Sequence, residues 1–367
     1  MTTSTRLLSL TLSLAAAAPL AACKKDKAKD KAPVEDTSKT GTGDMATEPT
    51  PTEPPPPPMK PQVVKIDGFQ TPESVLYDDQ ADVYLVSNIN GTPFDKDDNG
   101  FISKVSPPPD AKLADQPFID GKNEKVTLNA PKGMAFLGDV LYVADIDTVR
   151  MFDRKTGEPK GEVKLKGAVF LNDVAAGKDA IYVSDTGLDK QFKPGPAQGI
   201  WEIKGGKGKQ IAKGADLGGP NGVLVQGDDV WVVTFGSGEL YKIGKGGKKE
   251  AAEKLPKGQL DGVVAGPDGS LFITSWEASA VFHGTPGGSW TMGPLDLKSP
   301  ADLGIDSKRN LIVVPLFQEN RVEMHEAMTG KPDEPGAAPA GDTAADKPAD
   351  DKGGAADKPA DEGKAPK

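Results

Sequence analysis

The chain has 367 residues, with 44 Lys and Arg against 54 Asp and Glu and a net charge of −10. An acidic chain whose predicted folded part has no basic block cannot neutralise phosphates, so we expect no nucleic-acid partner. One Cys and two His residues exclude a disulfide framework and the usual structural zinc sites.

The first 22 residues resemble a lipoprotein signal peptide. Arg6 supplies the positive start, and residues 7–14 form an apolar stretch that is too short to span a bilayer. The motif Leu20-Ala21-Ala22-Cys23 follows directly and resembles the bacterial lipobox, in which cleavage before the Cys lets that residue carry lipid. Because no Asp follows Cys23, the resemblance implies an outer-membrane anchor facing the periplasm. A secreted protein with an unmodified Cys is the alternative.

Two polar segments flank the central part of the chain. Residues 23–61 are rich in Lys, Asp, Thr and Pro, and residues 327–367 repeat an Ala-Asp-Lys-Pro pattern. Neither segment has enough apolar residues to build a core, so we predict a disordered tether and a disordered tail. A tail that binds a partner is the alternative for the second segment.

Residues 62–326 contain six similar units at intervals of about 40 to 60 residues. Each unit opens with a short motif and continues with an apolar run rich in β-branched and aromatic residues, which is typical of a strand covered on both faces. The openings begin at Thr71, Ala130, Phe170, Gly219, Gln259 and Ser299, and the runs cover residues 83–86, 140–143, 180–183, 230–233, 270–273 and 310–313.

Third strands follow in several units, for example at residues 102–105 and 199–203, and no amphipathic helical stretch separates the units. Six antiparallel units of this length predict an all-β, six-bladed β-propeller. A sandwich would not repeat in sixes, and a β-helix has a shorter period. Closure of the ring by a strand near residues 63–66 stays open at this point.

The first strand of each propeller blade lines the central channel, so residues at one repeat register form a ring. One register reads Glu73, Lys132, Asn172, Asn221, Asp261 and Ala301, and the next position includes Asp173 and Asp302. Four of these side chains carry oxygen ligands and none is Cys or His, which favours Ca²⁺, Mg²⁺ or Mn²⁺ over Zn²⁺. The alternative is that Asn221-Gly222 and Asp261-Gly262 are merely turns at the start of a blade.

The motifs around Glu73, Asn172, Asn221 and Asp261 resemble those of the gluconolactonase, regucalcin and luciferin-regenerating-enzyme family, which is related to diisopropyl fluorophosphatase. The resemblance covers residues 63–325 and implies one divalent cation, Ca²⁺ in the first place. It implies Glu73, Asn221 and Asp261 as ligands, with Asn172 as a fourth ligand or a substrate contact. Asp261 is then also the general base of a metal-assisted hydrolysis, and Asp173 and Asp302 support the ligands.

Two residues depart from the family pattern. Phe170 stands where sugar lactonases of the family have an Arg, so specificity for aldonolactones is not implied. Lys132 places an ammonium in the ring, either to stabilise an anionic substrate or to form a salt bridge at the channel rim. We therefore expect a monomeric hydrolase of a small lactone or ester that contacts the membrane only through its lipid. The alternative is a non-enzymatic envelope propeller that binds a ligand or a protein partner.

A second candidate cation site lies in the insertion at residues 90–100. Asp95, Asp97, Asn99 and Gly100 match the opening of a calcium loop, in which Gly100 would supply the sharp turn. A full loop needs a Glu at its twelfth position, where this chain has Ser106. The sequence thus predicts a weak second Ca²⁺ site or an acidic surface turn.

Overall fold

The structure is a computed structural model that describes residues 63–328. The predicted signal peptide, the lipid-bearing Cys23, the linker up to residue 62 and the tail from residue 329 lie outside the described residues. Within residues 63–328, no helix has the length and apolar character needed to cross a membrane.

The described residues form six antiparallel sheets that are the blades of a propeller, which confirms the predicted fold. After β1 (Val64–Asp67), blade 1 consists of β2 (Pro72–Asp78), β3 (Val83–Asn88), β4 (Phe101–Ser106), β5 (Lys112–Leu113) and β6 (Ile119–Asp120). Blade 2 consists of β7 (Pro131–Leu137), β8 (Val140–Asp145), β9 (Thr148–Asp153) and β10 (Pro159–Lys164). Blade 3 consists of β11 (Leu171–Ala176), β12 (Ile181–Asp185), β13 (Gly199–Lys204) and β14 (Lys207–Lys213).

The second half of the ring repeats the same arrangement after a short 3₁₀ helix at Ala215–Leu217. Blade 4 consists of β15 (Pro220–Gln226), β16 (Asp229–Thr234), β17 (Glu239–Ile243) and β18 (Lys249–Lys254). Blade 5 consists of β19 (Leu260–Ala265), β20 (Leu271–Ser275), β21 (Ala280–Gly284) and β22 (Trp290–Met292). Blade 6 consists of β23 (Gly304–Asp306), β24 (Leu311–Leu316), β25 (Arg321–Glu326) and, as its outer strand, β1.

Most of the apolar core of the described residues lies between neighbouring blades, in six clusters, and a smaller seventh cluster contains Ile89, Ala130 and Ile146. Between blades 1 and 2, for example, Leu85 and Leu141 are fully buried against Met134. Each second strand packs on both of its faces, which is why its sequence is an almost continuous apolar run. All five residues of β20 are buried in this way.

Strand β1 closes the ring by pairing with β25, which answers the question that the sequence left open. Their register places Lys65 opposite Glu323 and Asp67 opposite Arg321, and both pairs form ion pairs, at 2.7 and 2.8 Å. Blades 1 and 6 also meet at the channel, where Ser74 bridges to Asp302. Closure therefore brings the two ends of the described part together at the outer side of blade 6, where Val63 and Met328 line one surface pocket.

Candidate functional site

The ring residues of the first five blades line one cavity at a mouth of the central channel. Glu73, Lys132, Asn172, Asn221 and Asp261 all contribute to this mouth cavity, which has a volume of about 140 Å³. The structure thus brings together the four predicted ligands and the predicted substrate contact Lys132. Blade 6 contributes no polar group at this register, because Ala301 ends at its methyl group.

A shared irregularity of the inner strands positions these side chains. In β2, β7, β11, β15 and β19 the pairing with the second strand shifts register across the ring residue. Such a shift re-aims a side chain that regular pleating would place against a neighbouring blade. Five blades therefore direct one polar group each into the same space.

The glycines after Asn221 and Asp261 are not turn residues, so the turn alternative is wrong. Gly222 and Gly262 lie inside β15 and β19. A Cβ on Gly262 would lie 2.6 Å from Asp302 Cα, and one on Gly222 would collide with the carbonyl oxygen of Asp261. Both glycines are needed because the next blade approaches the strand closely.

Two buried carboxylates of the ring each have an oxygen without a hydrogen-bond partner. These atoms are Glu73 Oε2 and Asp261 Oδ1. Burial, followed by the charges of Asp261 and Asp302, raises the pKa of Glu73 well above its usual value. Burial and Asp302 likewise raise the pKa of Asp261. Burial therefore disfavours negative charge on both carboxyls, and a bound cation would relieve that cost.

A chain of hydrogen bonds fixes the orientation of Asn172. Thr186 donates its single hydroxyl proton to the carbonyl oxygen of Pro220 at 2.7 Å. Thr186 Oγ1 can then only accept from Asn172, whose Nδ2 lies 3.0 Å away. This assignment leaves Asn172 Oδ1 as the atom that is available to a ligand in the cavity.

Two donor groups face Asp261. The Asn221 carboxamide and the indole N–H of Trp276 both lower the pKa of Asp261, against the larger effect of burial. Trp276 Nε1 is nevertheless buried without a hydrogen bond of good geometry. Trp276, which directly follows β20, therefore belongs to the site, whereas Trp201 and Trp231 pack in the core between blades.

Lys132 is fully buried in the wall of the mouth cavity. Its Nζ donates to the carbonyl oxygen of Ala130 at 3.1 Å and lies 4.7 Å from the centre of the Phe170 ring. Burial lowers the pKa of Lys132, and the charges of Glu73, Asp145 and Asp185 oppose this effect. Within residues 63–328 no carboxylate forms a direct ion pair with Lys132, so the predicted rim salt bridge is wrong.

Asp173 and Asp302 lie one layer further along the channel. They line a second cavity, of about 360 Å³, on the side away from the mouth cavity. Both oxygens of Asp173 accept backbone N–H groups, and Ser74 Oγ donates to Asp302 Oδ2 at 2.5 Å. Burial raises the pKa of Asp302 to about 7. These carboxyls act on the ring electrostatically and are not placed to bind a ligand in the mouth cavity.

A second ring of residues, which the sequence analysis did not identify, surrounds the mouth. Its members directly follow the second strands of their blades, and each donates its backbone N–H to the residue two positions before the ring residue of the same blade. This collar consists of Ile89, Thr186, Phe235, Trp276 and Phe317. The same repeat alignment that identified the ring could have found the collar, had it been extended to the strand ends.

The predicted calcium loop is exposed on blade 1. Asp95 and Asp97 are exposed, and Asn99 Nδ2 donates to Asp97 Oδ2 at 2.7 Å. Gly100 does not supply the predicted sharp turn: it has no left-handed backbone, and it is required because Asn129 and Pro131 pack against it. The second Ca²⁺ site stays a prediction.

The mouth cavity fits a hard divalent cation in its donor set. Two carboxylates and two carboxamides offer only oxygen, which suits Ca²⁺ or Mg²⁺ when water completes the shell. The orphaned oxygens of Glu73 and Asp261 support this fit. No group of three or more His, Cys, Asp or Glu side chains among residues 63–328 is placed to hold a metal, so the two amides are essential to such a site.

No known family model matches the chain, and no curated protein is similar to it in sequence. Its fold is similar to that of a proposed gluconolactonase, at 16% identity over 73% of this chain and 93% of the other, with a TM-score of 0.56. A gluconolactonase from Xanthomonas campestris has 14% identity over 72% of this chain and 89% of its own, with a TM-score of 0.55. A streptogramin B lyase has 10% identity over 72% of this chain and 97% of its own, with a TM-score of 0.52. The protein is thus a six-bladed β-propeller with gluconolactonases among its structural neighbours.

Proposed function

We propose that this protein is a divalent-cation-dependent hydrolase of lactones or related esters. The observation that carries the proposal is the pair of buried, unpartnered oxygens of Glu73 and Asp261, which belong to side chains of a single cavity. The structural neighbours named gluconolactonase agree with this reaction type. Ca²⁺ is the cation that we expect first, because it accepts oxygen ligands in varied numbers and geometries and the site offers no nitrogen or sulfur ligand.

In this proposal Glu73, Asn172 Oδ1, Asn221 and Asp261 hold the cation. The bound cation would polarise the substrate carbonyl, lower the pKa of water and favour the ionised form of the carboxyls. Asp261 accepts a proton from the attacking water while the water oxygen bonds to the carbonyl carbon. The ring C–O bond then breaks, and Asp261 returns the proton to the leaving oxygen, so that a hydroxy acid is formed.

The other residues of the cavity orient the ligand side chains and stabilise the negative charge that develops on the substrate. Asn221 and Trp276 face Asp261 and hold it in position for proton transfer. The ammonium of Lys132 stabilises negative charge that develops on the carbonyl oxygen and on the carboxylate product. Thr186 keeps the oxygen of Asn172 turned toward the cavity.

The test combines metal analysis with a lactone panel. We expect the purified protein to contain or bind one Ca²⁺ per chain, and Asp261→Asn to lower kcat by at least 100-fold, which is the usual size of a general-base effect. Glu73→Gln is expected to lower Ca²⁺ affinity, whereas Glu323→Gln, a buried glutamate of β25 far from the channel mouth, leaves it unchanged. Full activity in Asp261→Asn would contradict the mechanism.

The alternative is a ligand-binding propeller without catalysis. Lys132 favours it, because this ammonium already supplies positive charge beside Glu73 in the mouth cavity. Such a protein would bind a small molecule in the mouth cavity without turnover and without a cation. Ligand binding that persists in the presence of a chelator, with no hydrolysis of any lactone tested, would favour this alternative.

A further inference from the structure

The mouth cavity adjoins a groove between blades 3 and 4. The two share Thr186, Leu188, Phe192 and Phe235 as wall residues. The groove has a volume of about 370 Å³. Phe192 lines both spaces and has 60% of its surface exposed, so a ligand in the cavity can extend over this side chain toward the groove.

The walls of the mouth cavity above the ring are almost entirely apolar. Five aromatic side chains contribute to them: Phe170, Phe192, Phe235, Trp276 and Phe317. The hydroxyl of Thr186 is already used between Asn172 and Pro220. Apart from the indole N–H of Trp276, which faces Asp261, the walls above the ring therefore offer no side-chain partner for a substrate hydroxyl, and burying a hydroxyl without a partner is costly.

Aromatic contacts hold the rim of the cavity together. The Phe94 ring, from the insertion of blade 1, lies 4.9 Å from the Phe170 ring and 5.2 Å from the Phe192 ring, between centres. Phe170 also covers the Lys132 ammonium. The insertion at residues 90–100 thus completes an apolar rim that spans blades 1 and 3.

The size of the cavity limits what can enter it. An engineered cavity of about 150 Å³ lined by Leu, Ile and Phe accepts benzene, and the mouth cavity has about 140 Å³. The cavity therefore has room for no more than one five- or six-membered ring. Any larger substituent on that ring has to extend out of the cavity, and the adjoining groove is the apolar route.

We propose that the substrate is a lactone whose ring carries no hydroxyl groups and bears an alkyl chain, with the ring in the mouth cavity and the chain in the groove. Phe192 and Phe235, which line both spaces, then determine specificity for the chain. This inference rests on the proposed hydrolase function. The reaction is the same addition of water and opening of the ring C–O bond.

Three six-membered lactones test the inference: δ-decalactone with a pentyl chain, δ-valerolactone without a chain, and hydroxylated glucono-δ-lactone. We expect kcat/KM to be at least tenfold higher for δ-decalactone than for δ-valerolactone. For glucono-δ-lactone we expect kcat/KM to be at least tenfold lower than for δ-valerolactone. Phe192→Ser is expected to reduce the ratio of the first two values at least fivefold. Leu295→Ser is the control, because Leu295 is 59% exposed and lines neither space; it leaves the ratio unchanged.

A binding measurement separates this inference from the proposed function. Calorimetry with 2-pentylcyclohexanone, which cannot be hydrolysed, is expected to show at least tenfold tighter binding than with cyclohexanone, and Phe192→Ser to remove most of the difference. Ketone binding of this kind without hydrolysis of any lactone would overturn the hydrolase proposal and keep the apolar site. Equal or faster hydrolysis of glucono-δ-lactone, or a ratio unaffected by Phe192→Ser, would overturn the inference and keep the hydrolase.

Discussion

Lys132→Met is the change that most directly tests whether the mouth cavity binds a cation. The substitution keeps the length and apolar stem of the side chain and removes a buried positive charge. Because Lys132 and the four candidate ligands line one cavity of about 140 Å³, we take a separation on the order of 7 Å between Lys132 Nζ and a bound cation for the calculation. At an effective dielectric constant of about 20, charges of +1 and +2 at that distance repel by on the order of 5 kcal/mol.

The counter-charges of Asp145 and Asp185, which already act on Lys132, offset part of this repulsion. We therefore expect Lys132→Met to lower the Kd for Ca²⁺ at least tenfold, measured by calorimetric titration at constant pH. The variant is also expected to be less stable than the original protein without Ca²⁺, because Glu73 loses its nearby cation, and to gain more in Tm when Ca²⁺ is added.

Lys104→Met is the matched control. Lys104 lies 3.6 Å from the centre of the Phe118 ring, as Lys132 lies over Phe170, and burial lowers its pKa as well. It does not line the mouth cavity, so its replacement is expected to leave the Kd unchanged. An unchanged or weaker Ca²⁺ affinity in Lys132→Met would show that the ammonium does not repel a bound cation. It would refute the proposal that the ring residues bind a cation in the mouth cavity.

Further predictions concern packing, protons and the anchor. Gly262→Ala is expected to lower the free energy of unfolding, measured by urea denaturation, by about 2–3 kcal/mol, because the new Cβ would lie 2.6 Å from Asp302 Cα. In the control Gly293→Ala the atom nearest to the new Cβ lies at 3.5 Å, so the free energy of unfolding should stay close to that of the original protein. Ca²⁺ affinity is expected to rise with pH and binding to release protons, since the ring carboxyls have raised pKa values; calorimetry in buffers of different ionisation enthalpy measures this, and release of no protons would contradict it. Burial raises the pKa of Asp185 to about 6, so ionisation of this carboxyl disfavours the folded state. As the pH rises from 4 to 6, the free energy of unfolding should therefore fall by up to about 3 kcal/mol relative to that of Asp185→Asn. Cys23→Ser is expected to move the protein from the membrane fraction to the soluble fraction, and persistence in the membrane would contradict the lipid anchor.

The sequence predicts the blades and the ring because both depend on repetition. Each second strand must be apolar on both faces, and each inner strand must present one residue to the channel, so the pattern returns in every unit. Glu73 and Asp261 could be aligned although 188 positions separate them in the sequence, since a closed ring of equivalent blades makes the same register converge. Pairing of β1 with β25 was not predictable in this way, because a single short strand has no repeat to be compared with.

The parts that sequence did not predict are those that depend on the space between blades. Gly262 reads as a turn residue until the approach of Asp302 is known, and Gly100 reads as part of a calcium loop until Asn129 and Pro131 are seen to pack on it. The pKa of Lys132 depends on the charges of Asp145 and Asp185, which lie at the ends of the second strands of blades 2 and 3. None of these contacts is local in the chain.

The arrangement of charge along the channel gives the site its direction. Four carboxyls, Glu73, Asp261, Asp173 and Asp302, act on one another through the channel, and Lys132 opposes the charge of Glu73 at the mouth. The two carboxyls at the mouth have unpartnered oxygens, whereas Asp173 and Asp302 in the next layer are held by hydrogen bonds. In the proposed hydrolase, a cation that enters would therefore find unpartnered carboxyl oxygens only in the outer layer. That difference would hold the proposed cation beside the collar, where a substrate ring could reach it.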